Sequence, residues 1–354
     1  MIPALPIIAL GAMSGTSLDG LDLALCRFTQ DETGWNYHTL HCQTFGYSAE
    51  FKEQLARAEN MSALDFMRLD REFSEMTAAH INQFLEQFPE KPALIASHGQ
   101  TIFHQPDKGL TVQIGNGAII AARTGIPTVC DFRTTDVALG GQGAPLVPIG
   151  DKLLYHSYKA CLNLGGFCNI SFDENGHRMA FDISPCNMML NLLASRIGHP
   201  FDNQGENARK GTMIPELLHQ LNHLDYYSQT GAKSLGKEWF VEKVQPLLNG
   251  EHAPEDLLRT AAEHISFQIA RILNQQKIET LLVTGGGAHN TFLLELIQEK
   301  SPECTLTVPN DETVDFKEAI IFAFLGVLRV MRQHNCLADV TGACRDNCGG
   351  AVYL

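Results

Sequence analysis

Three times in this chain a short apolar run breaks into a glycine-rich turn. Ile7-Ile8-Ala9-Leu10 leads into Ser14-Gly15-Thr16-Ser17-Leu18-Asp19-Gly20. Ala160-Cys161-Leu162-Asn163-Leu164 leads into Gly165-Gly166-Phe167, and Thr280–Val283 into Thr284-Gly285-Gly286-Gly287-Ala288-His289-Asn290. After the first turn Leu21, Leu23 and Leu25 alternate with Asp22, Ala24 and Cys26, the period-two pattern of a half-buried strand. After the second, Cys168–Phe172 returns as a strand. The first two turns therefore close hairpins, and the third precedes a helix. An α/β chain that lays down the same grammar twice is the consequence. Its 354 residues exceed what one core usually serves, so two domains are expected. The run Gly140-Gly141-Gln142-Gly143-Ala144-Pro145 breaks the pattern. It sets the expected domains at 1–138 and 139–354, allowing for a C-terminal tail that returns to the first.

Successive backbone N–H groups bind phosphate well, and glycine lets the backbone approach closely. Neither common phosphate motif is present. Gly15 and Gly20 have P-loop spacing, but Leu21 and Asp22 replace its Lys and hydroxyl. G-x-G-x-x-G is absent. Around Ser14, Ala12 and Thr16 stand where a serine-hydrolase elbow needs glycine. A carboxylate beside phosphate requires a cation between them, so Asp19 or Asp22 points to Mg²⁺. The bland alternative is a solvated hairpin turn, since Gly, Ser and Asp favour turns anyway.

Coarse periodicity places helices at 50–60, 63–88, 117–124, 257–275 and 316–333. Short strands are expected at Ala93–Ala96, followed by Ser97-His98-Gly99-Gln100-Thr101, at Ile126–Cys130, and at Met179–Ile183 with Asp182 near its end. Ser184 suits an N-cap and Pro185 a first helical position, which predicts a helix start there. The net charge of −14, without a Lys/Arg cluster, excludes gripping of nucleic-acid backbones. The apolar run Ala319–Leu328 is about half a membrane span and reads as a core helix, so no membrane partner is expected. The N-terminus lacks the basic segment of a signal peptide. Ten cysteines without a framework fit reduced thiols in a cytoplasmic protein. Cys344-x-x-x-Cys348 with Cys336 nearby does not have the common zinc spacing.

Taken together, the chain resembles the 1,6-anhydro-N-acetylmuramic acid kinases nearly end to end. The resemblance rests on Met13–Asp22, Ser97–Thr101, Asp131-Phe132-Arg133-x-x-Asp136, Gly140–Pro145, Asn163–Gly166, Phe181–Pro185, Gly285–Asn290 and Lys317-Glu318-Ala319. It implies a two-domain actin-like ATPase (ribonuclease H-like) fold with the active site in the interdomain cleft. It also implies ATP and Mg²⁺, a cytoplasmic homodimer, and a reaction on anhydro-N-acetylmuramic acid. In that reaction the 1,6-anhydro ring is opened by water while O6 is phosphorylated, in peptidoglycan recycling. Carried over by position, Gly15, Thr16, Ser17, Leu18, Asp19, Gly20, Leu21 and Asp22 form a phosphate loop, with Asp19 toward the metal. Gly165 and Gly166 form a second loop. Gly285, Gly286, Gly287 and Asn290 face adenosine, and Asp182 is the catalytic base. The chain departs from the family pattern at Leu235, where Thr is expected, and at Phe167 and Cys168, where Ile and Ala are usual.

Asp182 alternatively serves the dipole of the helix start. Arg133 suits a substrate carboxylate because its planar fork pairs in bidentate fashion; a surface ion pair with Asp131 or Asp136 is the other reading. His98 contacts a sugar hydroxyl or satisfies a buried backbone group. His289 reads as a helix-start residue, and Glu318 as either helix-initiating charge or a site contact. Two further functions fit the layout: another actin-like sugar or carboxylate kinase, and a nucleotide-switched binding module.

Overall fold

The computed structural model describes residues 5–15, 18–229, 231 and 233–354. Twelve strands, numbered in chain order, are β1 Ile7–Ser14, β2 Gly20–Asp31, β3 Gly34–Gly46, β4 Leu94–Gln105, β5 Leu110–Ile114, β6 Thr128–Cys130, β7 Ala160–Leu164, β8 Phe167–Glu174, β9 His177–Pro185, β10 Thr280–Thr284, β11 Thr305–Thr307 and β12 Ala351–Tyr353. The chain divides into two units. Unit 1 comprises Met1–Leu154 and Phe316–Leu354, and unit 2 comprises Tyr155–Asp315. The boundary expected after residue 138 therefore falls inside unit 1. Residues 139–154 stay with it because Gly141 N–H donates to the Asp136 carbonyl (2.9 Å) and Gly143 N–H to its carboxylate (2.8 Å).

Unit 1 carries a sheet in the order β12-β6-β4-β1-β2-β3, with β5 paired to β4. Unit 2 carries β11-β10-β7-β8-β9. Setting β12 and β5 aside, the two plans coincide. In each, a glycine turn joins an antiparallel hairpin, a third antiparallel strand follows, and two parallel strands lie on the other side. The repeat read weakly from sequence is thus a repeat of sheet topology.

In unit 1 the helices Ala49–Arg57 and Ala63–Leu85 cover one face of the sheet, burying Phe51, Phe73, Ile81 and Phe84 against Leu10, Leu23 and Leu25. Both begin at serines whose Oγ caps the first turn: Ser48 accepts from Phe51 N–H and Ser62 from Asp65 N–H. The helix Asp311–Val330 carries the apolar run Ala319–Leu328 into the unit 1 core, where Phe322 and Phe324 are almost fully buried. It approaches β1 closely because Gly11 has no side chain; a Cβ there would strike the Ala319 carbonyl. Among the described residues no helix is long and apolar enough to cross a membrane. Unit 2 closes around Leu162, Ile170, Leu190, Leu258, Ile265 and Leu281.

Three readings of the sequence need correction. Ser97–Thr101 does not follow a strand but lies within β4. Its polar residues are accommodated because Ser14 Oγ donates to Gln100 Oε1 (2.6 Å) across the sheet. Ser184 is not an N-cap: β9 runs on through Pro185, paired with β8 at Phe167 and Cys168 beyond a bulge at Ile183, and the helix is Asn187–Ser195. Strand pairing overrode a Ser-Pro start signal. Glu318 does not open its helix, which begins at Asp311.

Candidate functional site

The first glycine turn is tight. Leu18 N–H donates to Gly15 C=O (3.2 Å), and Leu18 takes a left-handed φ of 58°, an uncommon conformation for a branched residue. Thr16 and Ser17 lie outside the described residues. Gly20, Leu21 and Asp22 belong to β2 rather than to the turn. Gly20 is glycine because β3 passes close by: a Cβ would lie 2.5 Å from the Phe45 carbonyl oxygen. Leu21 is a core residue, and Asp22 Oδ1 accepts from Thr44 Oγ1 (2.5 Å). Of the described residues, Gly15, Leu18 and Asp19 are left to the turn itself. Asp19 is exposed, and its carboxylate makes no hydrogen bond or ion pair among the described residues.

Arg133 follows β6 and is half-buried. Its Nη1 donates to Gly143 C=O (2.7 Å), and its Nε and Nη2 both reach His98 Nε2 (3.2 and 2.9 Å). His98 Nδ1 lies 2.8 Å from Gly99 C=O. Nδ1 therefore carries the proton and Nε2 accepts from the guanidinium. Burial first, and Arg133 second, pull the His98 pKa down to about 3, so the ring is neutral. Both ring nitrogens are occupied, which removes His98 from the residues free to bond a sugar hydroxyl and makes it the holder of Arg133. The surface ion pair is absent as well: Asp131 caps Thr134 N–H, while Asp136 is buried and accepts from Cys336 Sγ, Thr341 Oγ1, Asn347 Nδ2 and Gly143 N–H. Cys336 is thus a hydrogen-bond donor. No group of three or more His, Cys, Asp or Glu side chains among the described residues is arranged to hold a metal. Of the guanidinium's five donors three are engaged. The carboxylate of Glu318 acts on its charge.

In unit 2 the Gly165–Gly166 turn is pinned by its carbonyls. Gly165 C=O accepts from Asn187 N–H (3.0 Å), and Gly166 C=O accepts from Cys186 and Met188 N–H (2.8 and 3.2 Å). Asn187 Nδ2 donates to Leu164 C=O (2.9 Å) and adds a tie. The glycines here divide into two kinds. Gly285 has φ 81°, and a Cβ would strike Asn163 and Leu164; at Gly287 it would lie 2.7 Å from Leu164 Cβ. These two are glycine so that β10 can pack against β7. Gly166 and Gly286 are exposed, and a Cβ would find nothing nearer than 4.0 Å and 3.8 Å, at Met188 and Asn187. Packing does not require glycine at either place. Asn290 is engaged as an N-cap, its Oδ1 accepting from Leu293 N–H (3.0 Å).

Asp182 lies on β9, paired with Asn169 of β8. Three contacts from one downstream segment fix it. Its N–H donates to Lys233 C=O (3.1 Å), its C=O accepts from Tyr226 Oη (2.6 Å), and its Oδ2 accepts from Leu235 N–H (2.8 Å). Oδ1 has no partner among the described residues. Burial raises the pKa of the carboxyl above the ordinary Asp value, and the Leu235 N–H partly offsets that shift. The departure at Leu235 is explained by this contact, since a backbone donor is indifferent to the side chain it carries. Sequence reasoning singled out Asp182 and Arg133 but not Tyr226, Lys233 or Gly143 as their holders. Gly143 lies inside the flagged glycine run, and Lys233 opens the stretch Lys233–Phe240 in which Leu235 departs from the family pattern.

A carboxylate with one bonded and one free oxygen suits a base, and an arginine bearing its full charge on neutral acceptors suits an anion reader. Comparison with known proteins bears on the family rather than on these residues. The sequence profile of the anhydro-N-acetylmuramic acid kinases matches residues 7–354. Proteins named anhydro-N-acetylmuramic acid kinase from Aliivibrio fischeri and Pseudomonas fluorescens are each 36% identical, covering 97% of this chain and 98% of theirs. One from Sulfurimonas denitrificans is 33% identical over the same shares. Among solved structures, component A of (R)-2-hydroxyglutaryl-CoA dehydratase from Acidaminococcus fermentans aligns with TM-score 0.48 and 12% identity, over 92% of this chain and 99% of that one; at that level neither activity transfers to the other. The full-length match in sequence is decisive: the chain belongs to the anhydro-N-acetylmuramic acid kinase family.

Proposed function

We propose that this chain uses ATP and water to convert 1,6-anhydro-N-acetylmuramic acid into N-acetylmuramic acid 6-phosphate, with Asp182 as the base. The observation that carries the proposal is the state of that carboxyl: half-buried, raised in pKa, held through Oδ2 and open at Oδ1. Asp182 takes a proton from water as the water oxygen bonds to C1. The C1–O6 bond breaks, and O6 takes the γ-phosphoryl group while ADP leaves. One carboxylate suffices because O6 accepts phosphorus rather than a proton, whereas an ordinary glycosidase requires a second carboxyl as acid. Arg133 reads the lactyl carboxylate with donors not engaged by His98 and Gly143. Gly166 and Gly286 leave room for nucleotide, and the turn around Gly15 meets its phosphates.

Mg²⁺ fits the residues present. It keeps several waters and takes one or two carboxylates beside phosphate oxygens, so the exposed Asp19 is a sufficient protein ligand. There it would neutralise phosphate charge. The homodimer and the cytoplasmic location expected from the resemblance belong to this proposal, and sedimentation of the purified chain tests the first.

Asp182→Asn is nearly isosteric, so sugar and ATP should still bind. Ring opening and phosphoryl transfer should fall together by at least roughly 10²-fold. In the unmutated enzyme ¹⁸O from solvent should appear at C1 of the product. Ring opening without ATP consumption by the variant, or product free of solvent oxygen, would overturn the assignment.

A further inference from the structure

The three contacts on Asp182 come from the two ends of one segment: Tyr226 at one, Lys233 and Leu235 at the other. One side chain ties those ends together. Lys233 Nζ donates to Tyr226 C=O (3.3 Å) and Gln229 C=O (3.1 Å). It also sits over the Tyr226 ring at 4.5 Å and the Phe181 ring at 6.0 Å, and Phe181 immediately precedes Asp182. Lys233 has no carboxylate partner among the described residues. A half-buried ammonium held only by carbonyls and ring faces is an unusual use of a lysine, since cations of this kind ordinarily pair or reach water.

We propose that Lys233 is a positioning residue for the Asp182 base: its ammonium staples Tyr226 and Gln229 to Lys233, and that staple sets where the carboxylate points. The inference rests on the reading of Asp182 as the base. Lys233 acts through geometry, not charge. Its carbonyl and its ammonium work on opposite sides of the same staple: the carbonyl receives Asp182 N–H, while the ammonium locks Tyr226, whose hydroxyl grips the Asp182 carbonyl. Trp239 packs against the Tyr226 ring at 5.4 Å and reports whether the segment is in place. The titratable or charged groups at this corner are Asp182 itself, Tyr226, whose hydroxyl burial keeps neutral, Cys168 on β8, and Arg271, whose charge acts on Lys233.

The test compares Lys233→Met, Lys233→Arg, Tyr226→Phe and Asp182→Asn in the full chain. Lys233→Met should lower kcat by about tenfold or more while KM for ATP and sugar stays within about twofold, the signature of a lost transition-state arrangement. Lys233→Arg, which also donates to carbonyls and stacks on rings, should recover most of the rate. The acidic limb of kcat/KM, which reports the base of the free enzyme, should move in Lys233→Met and return in Lys233→Arg. Tyr226→Phe should lower kcat in the same direction, and an unchanged far-UV circular dichroism spectrum and thermal midpoint confirm that each variant is folded. Unchanged kcat and an unmoved limb in both Lys233→Met and Tyr226→Phe, with Asp182→Asn inactive, would overturn the staple and leave the base standing. Activity in Asp182→Asn would overturn both.

Discussion

Arg133 in unit 1 and Asp182 in unit 2 are both half-buried, and each residue is held by three hydrogen bonds. The partners differ in kind. Arg133 is held on its guanidinium by a neutral imidazole and a loop carbonyl, which aim it without cancelling its charge. Asp182 is held mostly by its own backbone, and its carboxylate receives a single N–H. Under the proposed function, firm aim suits a cation that is to read an anion. A light hold on the carboxylate suits the proposed base, because each further donor would lower its pKa and its appetite for a proton. The two sheets share one plan, so the difference lies in the side chain β4 offers at His98 and in what the loops bring.

The largest break in this comparison should come from Asp136. Its buried carboxyl serves four donors, among them the Gly143 N–H beside the Arg133 anchor. Asp136→Ala should destabilise unit 1 by roughly 3–5 kcal/mol, because several buried donors lose their acceptor at about 1–3 kcal/mol each. Urea denaturation followed by limited proteolysis would show unit 1 lost first and unit 2 intact; an equal loss in both units would contradict the account. Next is Arg133→Lys. A lysine cannot span His98 and Gly143 together, and one lost charge-assisted bond is worth about 1.5–3 kcal/mol. KM for the sugar should therefore rise roughly 10- to 100-fold, with kcat less affected. A change in kcat alone would refute the anion-reading role.

The third prediction uses one histidine in each unit. His98 and His264 are buried, with pKa values pulled down to about 3, chiefly by burial. Between pH 3 and 6.5 the unfolded chain binds protons that the folded chain refuses. Stability should hold above pH 6.5 and fall as the pH drops toward 3, by up to about 1.4 kcal/mol per pH unit for each histidine. His98→Gln, which has nothing to protonate there, should flatten that dependence in unit 1 alone. The smallest effect belongs to Leu235→Ala. It keeps the N–H on Asp182, so kcat and the acidic limb should stay within about twofold. A large loss would show that the side chain holds the base.

Much of this was legible. The glycine turns at 15, 165 and 285 announced themselves because strand periodicity stops abruptly at each, and Asp182 stood out at the end of an apolar strand. What was hidden is hidden for a physical reason. The contacts on Asp182 use a main-chain carbonyl, a main-chain N–H and a tyrosine hydroxyl from 44 to 53 positions away, and backbone atoms carry no residue identity. His98 and Arg133 are 35 positions apart, and nothing local in either neighbourhood calls for the other. The Ser184-Pro185 signal misled because a helix-start preference worth about 1 kcal/mol competes poorly with a run of paired strand residues.

Three of the four donors that meet at Asp136 come from 200, 205 and 211 positions downstream, and β12 closes the same sheet from residues 351–353. During synthesis, then, the two units mature on different clocks. Unit 2 is one uninterrupted stretch, finished once residue 315 has emerged, whereas unit 1 begins first and is completed last, its sheet edge and its buried carboxyl waiting for the closing residues of the chain. A nascent chain halted after Val330 should display a protease-resistant unit 2 beside an unripe unit 1, and the Gly143 anchor of Arg133 would settle only when the donors to Asp136 arrive.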